Sequence, residues 1–271
     1  MKITFIGGGN MAAAMIGGML ARGFAPADLC AVDVQDTARD RLVKDFGIAT
    51  YASPDLPARQ SDVLILAVKP QQMTAAAKGL RPVIQKQLVL TIAAGIRTAD
   101  LSRWLGGYRN IVRAMPNTPA LVRAGITGLY ALPEVSESGR QAAQNLLDAV
   151  GLTVWLDSED HLDAVTALSG SGPAYVFYFL EALQEAGRAM GLPLAASRAL
   201  SLHTLAGAAR LASESPEPPE TLRARVTSKG GTTERALNEM EASQVKQHLV
   251  AAICAAQVRS RELGDEFGKV A

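Results

Sequence analysis

Over the first 155 residues, short apolar runs rich in β-branched side chains alternate with longer stretches whose apolar positions recur every three or four residues. The first kind, at residues 2–6, 29–34, 48–51, 63–68, 88–92 and 111–115, reads as strands. The second kind, at residues 11–22 and 37–46, reads as helices. Each stops at a glycine, Gly23 or Gly47, suited to the left-handed residue just past a helix end. Thr98 caps a further helix running to Leu105 and closed by Gly106. Alternation at this spacing predicts βαβ units and a mostly parallel sheet. Residues 126–130 and 153–156 extend that sheet, with a helix at 137–150 between them. After Asp157 the strand pattern stops. Residues 175–190 form a helix ending at Gly191, and Pro193 opens the next, over 194–213. Ser215-Pro216-Glu217-Pro218-Pro219 is a break, and 244–263 is a last helix. The chain thus divides into an α/β domain, 1–157, and an all-α domain, 158–271.

Composition narrows this picture. Hydrophobic residues reach 48%, so disorder is excluded. Net charge is +1, from 27 basic and 26 acidic residues, which recruits neither nucleic acid nor an anionic membrane. Cys30 and Cys254 lie far apart and build no disulfide framework, which fits a reducing, cytoplasmic setting. The three histidines, His161, His203 and His248, have no mutual ligand spacing, so no metal site is expected. Residues 3–21 carry no charge and follow Lys2, like a signal peptide, but Gly7-Gly8-Gly9-Asn10 interrupts the run. No segment has the roughly 18 apolar residues of a spanning helix. The helices of the second half are rich in alanine and glycine, which permit close approach but give each helix little area to bury. Such a domain gains stability by packing on a second copy of itself, so a homodimer is expected.

The candidate chemistry starts at the first strand, which runs into Gly7-Gly8-Gly9-Asn10-Met11-Ala12, a G-x-G-x-x-A pattern. The first glycine makes the turn, the second lets backbone approach a pyrophosphate, and Ala12 lets helix and strand pack closely. The helix N-terminus then faces the phosphates. Asp33 ends the second strand at the distance where an acid binds an adenosine ribose. A carboxylate there marks NADH, while Arg39 and Arg41 offset it toward NADPH, so both cofactors stay open. Two further cofactor segments fall at strand C-termini: Ala67-Val68-Lys69-Pro70 and Ala93-Ala94-Gly95. In them Lys69 reaches phosphate or ribose, and small residues admit the nicotinamide ring. A third is Ala114-Met115-Pro116-Asn117-Thr118-Pro119, where Asn117 offers a donor and an acceptor. In the helical half, Ser169-Gly170-Ser171-Gly172-Pro173-Ala174-Tyr175 reads as a turn entering a helix. Ser228-Lys229-Gly230-Gly231-Thr232-Thr233 precedes another, with backbone N–H groups and a helix dipole fit to hold a carboxylate.

Taken in order, these stretches resemble the pyrroline-5-carboxylate reductase family over essentially the whole chain. The resemblance implies a Rossmann-like N-terminal domain followed by a helical dimerisation domain that interlocks with a partner's, in a homodimer or a higher homo-oligomer. It implies reduction of 1-pyrroline-5-carboxylate to L-proline with NADPH or NADH, the last step of proline biosynthesis. Ser228, Gly231, Thr232 and Thr233 become the substrate-carboxylate loop, and Thr233 the residue nearest the ring nitrogen. Lys229 departs from the family, which commonly has proline there. A β-hydroxyacid dehydrogenase shares the plan but calls for a catalytic lysine after the glycine-serine turn, and residues 160–228 contain no lysine. Another imine reductase is a further alternative. A non-catalytic dinucleotide sensor would have no need of the second loop.

Overall fold

The computed structural model describes residues 1–269. Eight strands form one sheet in the order β3-β2-β1-β4-β5-β6-β7-β8. They are β1 (Ile3–Ile6), β2 (Leu29–Val32), β3 (Ala49–Tyr51), β4 (Val63–Leu66), β5 (Leu88–Thr91), β6 (Ile111–Met115), β7 (Gly125–Ala131) and β8 (Gly151–Trp155). β1 to β6 are parallel, in the doubly wound order that reverses between β1 and β4. β7 turns antiparallel to β6, and β8 runs parallel to β7.

The helices of this part are α1 (Asn10–Ala21), α2 (Asp36–Phe46), α3 (Asp55–Gln60), α4 (Pro70–Leu80), α5 (Thr98–Trp104), α6 (Glu137–Leu147) and α7 (His161–Val165). They cover both faces of the sheet, so its central strands are apolar on both sides. Val63 and Ile65 of β4 pack with Met15, Ile16 and Met19 of α1 on one face. Leu64 and Leu66 pack with Met73, Ala77 and Leu80 of α4 on the other. Residues 3–21, the uncharged run, are β1, its turn and α1, built into the sheet and its first covering helix.

Among the described residues only helices follow Trp155: α7, then α8 (Gly172–Ala189), α9 (Leu194–Glu214), α10 (Pro219–Arg225), α11 (Thr232–Ala242) and α12 (Val245–Gly268). By its contacts the chain forms two units. One comprises Met1–Ser171 with Ala255–Ala271, the other Gly172–Cys254. The last strand among the described residues ends at Trp155, while the contact boundary lies further on, between Ser171 and Gly172. α7 and the last turns of α12 belong with the sheet. Within the second unit α8 and α9 meet at Gly187, where a Cβ would come within 2.8 Å of Ser197 Oγ, so the small residue sets the approach.

Two local expectations are corrected. Thr98 is not the cap of α5 but its first residue; the Glu159 carboxylate caps the helix instead, accepting from Thr98 N at 2.7 Å and Thr98 Oγ1 at 2.5 Å. The glycine-serine stretch is not a turn. Thr166–Gly170 is a π-helical segment, with Ser171 N donating to Thr166 O at 2.8 Å, and helical backbone continues through it into α8. A single π turn of this kind inserts one extra residue and re-aims its neighbours.

Candidate active site

The strand order reverses between β1 and β4, and an open α/β sheet binds its ligand in the crevice outside that point. Ala67 N donates to Ile6 O and Gly7 N to Val32 O, both at 2.8 Å, so the turns after β1 and β4 lie side by side. Gly7, at φ +104°, has no room for a side chain: a Cβ would stand 2.8 Å from the Ala67 carbonyl carbon and 2.9 Å from Val68 N. Gly9 is different. It is exposed, its backbone is extended, and nothing lies within 4 Å of where its Cβ would be. It precedes α1, whose first N–H groups no side chain caps. Open space over an uncapped helix N-terminus at the reversal point fits the pyrophosphate of a dinucleotide. Asn10 is exposed and Met11 half-buried at the same edge. Across the crevice Ala67 and Val68 are half-buried, and exposed Lys69 precedes Pro70, the first residue of α4.

Asp33 closes the crevice on the β2 side. Its Oδ2 accepts from Gly8 N at 2.7 Å and its Oδ1 from Gln35 N at 2.9 Å, so the carboxylate also fixes the glycine turn. Two arginines of α2 reach the same corner. Arg39 donates to Asp33 O at 2.7 Å and pairs with Asp36. Arg41 donates to Gly8 O at 2.7 Å and to Asn10 Oδ1 at 3.4 Å, and among the described residues no carboxylate pairs with it.

The turn after β5 holds Ala93, buried, Ala94, half-buried, and Gly95, buried with φ +73°. The missing Cβ of Gly95 makes room for the protein itself. It would stand 3.0 and 3.1 Å from ring carbons of Phe267, near the end of α12. Ala94 is thereby the accessible residue of this turn. Asn117, after β6, is engaged at both ends of its amide: Nδ2 donates to Ser169 O at 3.2 Å and Oδ1 accepts from Ile126 N at 3.0 Å. A cofactor contact from the Asn117 side chain has the second Nδ2 hydrogen and the second Oδ1 lone pair left to use.

The second loop lies in the helical unit and is built as a helix entry. Gly231 is the residue before α11, and no side chain caps that helix either. Gly231 N donates to Ser228 O at 3.0 Å, and Gly230 takes φ +74°. The hydroxyls of Ser228, Thr232 and Thr233 make no hydrogen bond among the described residues. The sequence reading missed Glu234, whose Oε2 accepts from Gly230 N at 2.7 Å and ties the loop to the helix it precedes. Glutamate at the third helical position was the available signal.

A crevice at the reversal point of a doubly wound sheet, and a glycine-threonine helix entry on a helical unit, fit the class of nicotinamide-dependent oxidoreductases. Family models match both parts. One described as pyrroline-5-carboxylate reductase dimerisation covers residues 159–263, and one described as NADP oxidoreductase coenzyme F420-dependent covers residues 2–95. The pyrroline-5-carboxylate reductase of Pseudomonas aeruginosa is 44% identical over 269 residues, 99% of this chain and 98% of that protein. That of Haemophilus influenzae is 42% identical over 98% of each. Among solved structures, a pyrroline-5-carboxylate reductase from Coxiella burnetii superposes with a TM-score of 0.92 at 41% identity, covering 97% of this chain and 98% of the other. The Plasmodium falciparum enzyme, solved with NADP bound, gives 0.86 at 27% identity over the same shares. The chain belongs to the pyrroline-5-carboxylate reductase family. The dehydrogenase alternative is not favoured. No helix among the described residues is long and apolar enough to cross a membrane.

Proposed function

We propose that this chain reduces 1-pyrroline-5-carboxylate to L-proline, with the substrate held by the Ser228–Thr233 loop and NADPH as the preferred reductant. The observation that carries the substrate reading is the uncapped N-terminus of α11, three backbone N–H groups behind two free threonine hydroxyls, which suits a carboxylate. The nicotinamide supplies a hydride when bound. A protonated cyclic imine is already electrophilic at its C=N carbon, so the chain has to hold and orient it more than activate it. The free backbone N–H groups of Thr232 and Thr233 hold the carboxylate, Gly231 shapes the loop through its bond to Ser228 O, and the Thr233 hydroxyl aligns the ring nitrogen. Replacing Thr233 with alanine lowers kcat/KM by several-fold to a hundredfold, about 1–3 kcal/mol in the transition state. Steady-state kinetics check this, and an unchanged kcat/KM removes Thr233 from the mechanism.

The preference for NADPH rests on Arg41. Asp33 is occupied by two backbone N–H groups, whereas the Arg41 guanidinium lies over the glycine turn with no carboxylate on it. A 2′-phosphate is the ligand such a cation favours. Arg41→Ala is expected to lower kcat/KM with NADPH about tenfold, roughly 1.4 kcal/mol, and to leave NADH nearly unaffected. An equal fall with both cofactors refutes the assignment.

The helical domain is taken to pair with a second copy. Phe177, Tyr178, Leu200, Leu211 and Val250 are each more than half exposed in the single chain, more apolar surface than a monomer ordinarily leaves in water. Light scattering is expected to read at least a dimer, and a monomer at micromolar concentration contradicts it. The unpaired thiols of Cys30 and Cys254 support a cytoplasmic location.

A further inference from the structure

The end of α12 returns to the sheet-bearing unit and fastens itself around the turn after β5. Ser260 Oγ donates to Asp163 Oδ1 at 2.7 Å, with both residues buried. Arg97, two residues past Gly95, donates from Nη1 to Asp265 at 2.7 Å and from Nη2 to Arg261 O at 3.3 Å. Its guanidinium lies against Gly264, where a Cβ would stand 3.0 Å from Nε. One turn on, Arg103 Nη2 donates to Gly268 O at 2.6 Å, satisfying a carbonyl that the helix end leaves free. Phe267 sits in the middle of these polar ties, with its ring on Gly95 and its side chain joined to the apolar cluster of Ile96, Leu101 and Trp104.

These contacts converge on a residue at φ +73° whose neighbour Ala94 is half-buried, the accessible residue of the turn. A glycine turn in water samples many conformations. One pressed by an aromatic ring on the side where other residues carry a Cβ is held in one. We infer that Phe267 is a positioning residue for cofactor binding: it holds the Ala94–Gly95 turn in the shape that receives the nicotinamide half of the dinucleotide. This inference rests on the reading of that turn as part of the cofactor site. It makes the last turn of α12 part of the binding apparatus.

Binding of NADPH to the purified protein, followed by the change in nucleotide fluorescence, tests it. Phe267→Ala is expected to raise the dissociation constant five- to twentyfold, while Phe267→Leu, which refills most of the volume, recovers at least half of the loss on a logarithmic scale. Wild-type affinity in Phe267→Ala overturns the inference. Ala94→Leu distinguishes the two ways of failing. If it abolishes binding while Phe267→Ala does not, the turn belongs to the site and Phe267 does not position it. If neither variant affects binding, the reading of the turn falls as well. Should Phe267→Ala not fold, hydrogen exchange on the wild-type protein decides. Coupling is reciprocal, so saturating NADPH is expected to slow amide exchange in residues 260–267 severalfold, and unchanged exchange there overturns the inference.

Discussion

Glu159→Ala is expected to lower the melting temperature by roughly 10 °C. The Glu159 carboxylate makes three bonds at once. Oε1 accepts from Thr98 N at 2.7 Å and from Arg113 Nη1 at 2.9 Å, and Oε2 accepts from Thr98 Oγ1 at 2.5 Å. The Arg113 side chain is only 4% exposed and that of Glu159 20%, so water replaces little of what is lost. Removing one partner of such a pair leaves an unpaired charge in the interior, which costs about 3–5 kcal/mol. The comparison that isolates this cause is the double variant Arg113→Met with Glu159→Ala. With no charge left to strand, it is expected to melt well above the single variant, since burying apolar groups in place of an ion pair is often neutral. Both are measured at one protein concentration, because subunit association shifts apparent stability. A single variant that melts within 2 °C of wild type, about 1 kcal/mol or less, rules the pair out as a strut.

Thr98 lies three residues after Gly95, so this strut and the Phe267 contact act on one short segment from two sides. Glu159 fixes the start of α5, Arg97 and Arg103 tie that helix to the end of α12, and the turn before it has little freedom left. Rigid support behind a binding turn is what holds a cofactor in reacting geometry. Neither support was legible in the sequence. Serine and threonine at a helix start ordinarily serve as the cap themselves, and a competing carboxylate sixty-one residues away leaves no local mark. Gly95 was read as space for a nicotinamide ring for the same reason. The partner that fills the space arrives from the other end of the chain.

What was legible follows the opposite rule. Strand–glycine–helix succession is a local pattern, and it placed β1, α1, β2 and α2 to within a residue or two, with the crevice at their ends. The antiparallel course of β7 was not predicted, because a strand's apolar pattern does not state its direction. Tertiary bonds also re-employ residues that local chemistry marks for ligands. Asn117 spends both ends of its amide on Ser169 and Ile126. Asp33 clamps the glycine turn before it can meet a ribose.

The glycine turn itself allows the folding and binding uses of a residue to be separated by experiment. Gly7 and Gly9 belong to the same motif, yet the structure treats them differently. At Gly7, φ is +104° and main-chain atoms of Ala67 and Val68 occupy the space of a Cβ, so Gly7→Ala displaces the backbone that builds the crevice. At Gly9, φ is −69° and ψ −175°, an extended conformation that valine adopts without strain, and nothing lies within 4 Å. Gly9→Val is therefore expected to leave the melting temperature of the nucleotide-free protein within about 2 °C of wild type. Its side chain nevertheless fills the space over the N-terminus of α1 where a pyrophosphate has to approach backbone. Affinity for NADPH and NADH alike is expected to fall at least a hundredfold, about 2.7 kcal/mol, by fluorescence titration. Stable protein that still binds either nucleotide at wild-type strength moves the phosphates away from Gly9, and with them the whole placement of the dinucleotide at the β1–β4 crevice.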